Sequence, residues 1–340
     1  MPKSLAAFLD QGQPFGVRGR CQEISGIDQP AQDLDQNQNQ ACLGFDVLLD
    51  RDIGLAEGSK KSKMPRPTRS WLFTPGTRPE RFAGAEKACA DVMILDLEDA
   101  VAANDKTNAR AIVFDYLKLS VEGGVPRALR INSISTPSGV SDLHGLLASG
   151  ASPDFLVVPK TESADHVRIL DQLCGSAGLN TRLVGIVENA RGLMNVEAIA
   201  TASPRLHGLM LGAADMASDL GATVVWEAMA YARGRLVAAC ALAGLTAIDT
   251  PYFGFRDQKA LEGETRRAAA MGFAAKAAIH PTQISVINAA LTPTAEEVAS
   301  AQAIVAENRK GVGVVNGQMI DDAVARRARR ILATANAPLS

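Results

Sequence analysis

Aromatic side chains are scarce, 4% of 340 residues, so any core has to be built mainly from Ala, Leu and Val. Cysteine is also sparse. The five cysteines (Cys21, Cys42, Cys89, Cys174 and Cys240) are odd in number, scattered and never spaced as CxxC, which argues against a disulfide framework and a structural zinc site. They are expected to be reduced thiols. No apolar run approaches the roughly 20 residues needed to span a bilayer, and no secretory signal or transit-peptide bias opens the chain. Membrane insertion is excluded on this reading and a cytoplasmic location expected. A formal net charge of −2 provides no basic field to attract nucleic acid. GxGxxG after a strand, a P-loop, HExxH and GxSxG are all missing, which argues against the dinucleotide, phosphate-loop, zincin and hydrolase chemistries those motifs carry.

What is present divides into three parts. Residues 1–63 hold the polar stretch DQPAQDLDQNQNQ and few periodic apolar segments, so they are expected to form a disordered extension. Lys60, Lys61, Lys63, Arg66 and Arg69 make a short basic patch, read as a solvated linker. Met64 precedes the first strand pattern and is a candidate translational start. Residues 64–292 alternate short apolar runs with longer Ala-rich stretches. Eight strands are expected, at 70–76, 92–98, 127–132, 155–160, 182–188, 207–212, 245–251 and 274–280, with helices such as 104–120, 163–173, 224–242 and 257–271 between them. Near-continuous apolar strands alternating with helices imply parallel strands buried on both faces, and eight units favour a (β/α)8 TIM barrel over a doubly wound sheet. Residues 293–340 continue as a helix at about 295–310, a Gly-rich hinge, and an amphipathic helix at about 322–335.

In such a barrel the reaction site lies where strand C-termini meet. Those ends are unusually polar: Glu98 and Asp99, Arg130 and Asn132, Lys160, Glu188 and Asn189, Asp215, Asp249 and His280. Carboxylates gathered at one mouth repel one another unless a cation lies between them. Glu188 and Asp215 end neighbouring strands and suit two oxygen ligands to a hard cation, Mg2+ rather than Zn2+; they equally suit the caps of the helices that follow. Arg130 calls for a partner, either an anionic substrate or Glu98. Lys160 permits a rival Schiff-base mechanism, although neighbouring carboxylates would keep its amine protonated. His280 is a proton donor or a hydrogen-bonded structural residue, and Lys276 an anion contact or a member of a packed ion pair.

The segments RSWLFTPGTRPERF, DVMILDLEDAVAANDKTNAR, LRINSISTPSGVSDL, FLVVPKTES, GIVENARGLMN, LMLGAADMASDLG, AIDTPYFGFRDQ, AAIHPTQISVIN and GQMIDDAVARRA resemble, in order, the citrate lyase β-subunit-like CoA-ester lyases. These belong to the HpcH/HpaI aldolase superfamily and include malyl-CoA and citramalyl-CoA lyases. The resemblance covers about 69–336. It implies a Mg2+-dependent barrel acting on a CoA thioester, a homotrimer or hexamer, and a C-terminal segment that reaches over a neighbouring subunit's mouth. By motif, Glu188 and Asp215 correspond to metal ligands and Arg130 to the contact for the substrate carboxylate and oxyanion. Glu98 and Asp99 correspond to a supporting acidic pair, and Asp321 to an acid/base delivered from the adjacent protomer. Pro75, Gly76, Asn132 and Lys160, with Arg130 and Glu188, are the expected substrate contacts. TPG for the frequent VPG, Asn189 for Thr and Ala275 for Gly depart from the common pattern. The reaction implied is cleavage of a 3-hydroxyacyl-CoA to an acyl-CoA and a 2-oxo acid, with thioester hydrolysis and a citrate lyase β subunit acting on an acyl-carrier-protein thioester as alternatives.

Overall fold

The structure, a computed structural model, describes residues 68–119, 124–309, 313–315 and 317–335. The expectations for residues 1–63 and for Met64 lie outside the described residues. Eight parallel strands close into a barrel in chain order: β1 (Ser70–Pro75), β2 (Val92–Asp96), β3 (Arg127–Arg130), β4 (Phe155–Val158), β5 (Arg182–Val187), β6 (Leu206–Leu211), β7 (Thr246–Asp249) and β8 (Ala275–Ala278), which pairs back onto β1. Around it run α1 (Phe82–Lys87), α2 (Lys106–Lys118), α3 (Pro137–Ser149), α4 (Ala164–Ser176), α5 (Ala190–Met194), α6 (Val196–Ala200), α7 (Ala213–Asp219), α8 (Trp226–Ala243), α9 (Gln258–Met271) and α10 (Ile284–Leu291). This is the (β/α)8 barrel expected from the alternation of apolar runs.

Local chemistry sets the helix ends. The side chains of Thr136, Ser163, Asn189 and Asp257 accept backbone N–H groups in the first turns of α3, α4, α5 and α9, caps typically worth about 1 kcal/mol each. Gly150, Gly244 and Gly272 end α3, α8 and α9 in the left-handed conformation that a Cβ would oppose.

Strand parity divides the core. Trp71, Val92, Ile94, Ala128, Phe155, Val157, Val184, Ile186, Met210, Ile248, Ala275 and Ala277 form one cluster inside the barrel. Leu72, Met93, Leu95, Leu129, Leu156, Leu183 and Leu209 belong to the larger cluster between strands and helices. The same count of two decides where the polar strand ends point.

Two expectations need correction. Arg69 is no part of a solvated patch: it is buried, with Nε 2.8 Å from Asp91 Oδ2 and Nη1 donating to Thr292 Oγ1 at 2.6 Å. The Gly-rich stretch holds a two-stranded antiparallel hairpin, β9 (Gly313–Val315) and β10 (Gln318–Ile320), between α11 (Ala295–Asn308) and α12 (Asp322–Ala335). α12 packs on α11, and its buried residues are Ala325 and Ala328. No helix among the described residues is long and apolar enough to cross a membrane.

Candidate active site

A cavity of about 810 Å³ opens at the C-terminal mouth, and its wall includes Phe73, Pro75, Asp96, Asp99, Arg130, Glu188 and Asp215. Interior parity brings Asp96, Arg130 and Glu188 there, because each follows an inward residue at a spacing of two: Ile94, Ala128 and Ile186. Arg130 is gripped on two edges by Asp96, Nε to Oδ1 at 2.7 Å and Nη2 to Oδ2 at 2.6 Å. Its Nη1 lies 2.9 Å from Glu98 Oε2 and 3.2 Å from Asp99 Oδ2, and Phe73 lies beneath the guanidinium at 4.6 Å. Burial alone would lower the Arg130 pKa, but these carboxylates raise it, so the charge is fixed. Asp96 also accepts the backbone N–H groups of Glu98 and Ala100, which shapes the loop carrying the acidic pair.

A second group surrounds Lys160. Its backbone N–H donates to Glu188 Oε1 at 2.7 Å, and its Nζ lies 2.8 Å from Asp215 Oδ2, 3.6 Å from Glu98 Oε1 and 3.7 Å from Glu188 Oε1. Burial pushes Glu98 up to about 8 despite the pull of Arg130, with Glu188 and Asp99 adding to the rise. Burial likewise lifts Glu188 to about 7 against the pull of Lys160. Burial opposes the charge on Lys160, yet the hydrogen bond to Asp215 and the neighbouring carboxylates raise its pKa. An amine held protonated in this way is no Schiff-base nucleophile.

The donor set suits a divalent cation. Glu188 and Asp215 are close enough to share one cationic nitrogen, and both offer hard carboxylate oxygens. Among the described residues no three His, Cys, Asp or Glu side chains form an all-protein metal cage. Two carboxylates with the remaining positions left to water or substrate oxygens match the habit of Mg2+.

Several expected residues stand elsewhere. Asn132 is turned away, its amide donating to the Leu97 carbonyl at 2.9 Å and to Asp142 at 2.6 Å. Gly76 packs behind the mouth: a Cβ there would stand 2.8 Å from the Asp96 carbonyl oxygen, so the glycine permits close strand contact rather than lining the cavity. Asp249 and Lys276 follow helix-facing parity and form a buried pair at 2.7 Å, so Lys276 is an ion-pair residue and no anion contact. Arg233 and Glu264 complete that network, at 2.9 Å from Asp249 and 2.8 Å from Lys276. His280 caps the turn at Pro281–Gln283 and stacks on Phe255, at the edge of the cavity. Asp321 is absent from the cavity wall; it is exposed and its Oδ1 accepts the Val324 N–H at the start of α12. The sequence reading missed Asp96, Phe73 and Thr74, whose buried Oγ1 on the cavity wall has no hydrogen-bond partner. Counting inward positions from Ile94 would have found Asp96.

A barrel with carboxylates and an arginine gathered at its C-terminal mouth defines an enzyme site. Residues 69–281 match the HpcH/HpaI aldolase/citrate lyase family, and the chain belongs to that family of carbon–carbon lyases. It is 33% identical to an L-malyl-CoA/beta-methylmalyl-CoA lyase of Cereibacter sphaeroides over 78% of this chain and 94% of that protein. It is 32% identical to the citrate lyase subunit beta of Leuconostoc mesenteroides (80% and 94%) and 33% identical to a (3S)-malyl-CoA thioesterase of Cereibacter sphaeroides (80% and 95%). Among solved structures, RipC from Yersinia pestis is 52% identical, with TM-score 0.61 over 68% of this chain and 98% of that one. CitE from Mycobacterium tuberculosis, in complex with magnesium, acetoacetate and coenzyme A, is 34% identical, with TM-score 0.69 over 80% and 99%.

Proposed function

We propose that the chain cleaves a carboxylate-bearing 3-hydroxyacyl-CoA thioester, of the citramalyl-CoA or malyl-CoA type, to an acyl-CoA and a 2-oxo acid. The observation that carries this reading is the pairing of Glu188 and Asp215 with the fixed guanidinium of Arg130 around one cavity. Glu188 and Asp215 would hold Mg2+, which supplies Lewis-acid polarisation of substrate oxygens. Arg130 presents a permanent positive charge to the oxygen on which negative charge accumulates, an effect commonly worth about 3 kcal/mol of barrier. A carboxylate takes the hydroxyl proton as the carbon–carbon bond breaks, the alcohol becoming the carbonyl of the 2-oxo acid. The thioester enolate released takes up a proton and leaves as the acyl-CoA.

Asp321 is the carboxylate proposed for this proton transfer, supplied by a second copy in a homotrimer or hexamer. Its exposure, its place outside the cavity of its own chain and the exposed Val314 and Met319 on its hairpin support that arrangement. Mixing Asp321→Asn protomers with Glu188→Gln protomers then restores turnover that neither has alone. Verified hybrids without recovery overturn it.

The relative named as a thioesterase favours a second reading, hydrolysis of the same thioester. Product analysis decides: with Mg2+ and a panel of malyl-, β-methylmalyl- and citramalyl-CoA, the lyase releases a 2-oxo acid and an acyl-CoA. Free CoA with a hydroxydiacid identifies the thioesterase. No turnover of any CoA ester leaves the acyl-carrier-protein substrate of a citrate lyase β subunit.

A further inference from the structure

Among the described residues, only Cys89 and Lys160 have positive φ without being glycine, and only Lys160, at φ 48°, stands at the mouth. A left-handed backbone is unfavourable for a residue with a Cβ and persists where its surroundings over-determine it. Here the surroundings are the carboxylates. The turned backbone aims the Lys160 N–H at Glu188 Oε1 while the side chain folds back to set its ammonium among Asp215, Glu98 and Glu188. Two of those three are the candidate cation ligands. The Lys160 and Asp215 side chains are 40% and 46% exposed, against 6% for Glu188, so water and ions reach the ammonium and its Asp215 partner.

We propose that Lys160 is a tethered counter-cation of the divalent-cation site: its ammonium neutralises Glu188 and Asp215 before the metal arrives and moves aside when the metal binds. The inference rests on the reading of these two carboxylates as ligands. Two cations cannot share the same carboxylate oxygens at close range without strong repulsion, and a four-carbon stem lets the ammonium withdraw while the backbone does not move. The N–H bond to Glu188 survives that withdrawal, so this ligand keeps its orientation in both states. Exchange of a bound ammonium for a bound divalent ion moves no proton. Lys160 therefore protects the metal-free site and weakens its cation affinity at the same time.

The test titrates the full-length chain with Mn2+, reading free ion by electron paramagnetic resonance, beside thermal unfolding with and without Mg2+. Lys160→Met is expected to bind Mn2+ at least about tenfold more tightly than the parent, to melt lower without metal and to gain more from Mg2+. Lys160→Arg, which keeps a tethered charge, stays near the parent. A Lys160→Met chain that folds only with Mg2+ present is the extreme form of the expected result; should it not fold at all, Lys160→Gln is read in the same way. Mn2+ affinity that is equal or weaker in the uncharged variants overturns the inference and makes Lys160 a support for the ligands. Absence of Mn2+ binding in every chain, parent included, overturns the reading of the site and the inference with it.

Discussion

The barrel carries two charged clusters that differ in balance. On the helix-facing side, Asp249 and Glu264 meet Arg233 and Lys276, acid matched by base, with Asp249, Arg233 and Lys276 all buried. At the mouth, among the described residues, Asp96, Glu98, Asp99, Glu188 and Asp215 form ion pairs only with Arg130 and Lys160. A balanced network is complete within the chain; one with surplus carboxylate is relieved by binding protons or a cation. Burial raises the pKa values of Glu98 and Glu188, and neighbouring carboxylates add to the rise. The structural cluster is the one that needs nothing further.

Breaking the balanced cluster should cost stability. Asp249→Ala leaves Arg233 and Lys276 buried without their shared anion, and about 3–5 kcal/mol should disappear from the unfolding free energy in urea. A loss within about 0.5 kcal/mol would show that this cluster is not structural. Breaking the surplus cluster should cost turnover instead. Glu188→Gln should lower kcat/KM about a thousandfold, or about 4 kcal/mol, and leave the melting temperature unchanged or higher, because a buried carboxylate with an elevated pKa has been neutralised. Arg130→Lys keeps the charge but cannot bridge both oxygens of Asp96; a loss of about a hundredfold in kcat/KM is expected, and retained activity would make Arg130 purely structural.

The smallest effect sharpens the contrast from the other end of the barrel. His207 packs against the Trp71 and Phe155 rings, and burial, with Arg182 nearby, holds its pKa down to about 4 from 6.5. Between these values the unfolded chain binds a proton that the folded chain does not, so stability is full above the unfolded value and falls as pH drops toward the folded one. His207→Gln should reduce the stability difference between neutral and acid conditions by about 2 kcal/mol, measured by urea unfolding at each pH. An unchanged difference would place the acid sensitivity elsewhere.

The barrel was legible in the sequence because strands covered on both faces leave apolar runs such as VMIL, closed by Asp96, and FLVVP, closed by Lys160. Arg130 and Glu188 were legible as strand ends, and Asp215, in the first turn of α7, as the acid that follows the sixth strand, but nearness to an end does not say which face a side chain takes. Asp249 and Lys276 were grouped with the mouth for that reason. Asp96 was overlooked because Glu98 and Asp99 follow it closely in LEDA, although its inward parity makes it the bidentate partner of Arg130. Two helices of five residues, α5 and α6, carry too few positions to show a period, and the three-residue strands β9 and β10 read as a hinge among glycines. The place of Asp321 relative to a second copy is a property of assembly, which periodicity within one chain does not encode.

The central claim is that surplus carboxylate at the mouth marks a cation site, and crystals grown with Mn2+ test it most directly through the anomalous signal of the ion. The account predicts one peak per chain between Glu188 and Asp215, lost in Glu188→Gln and kept in Asp249→Asn. A map with no peak there, or with the peak beside Asp249 and Glu264, would contradict it.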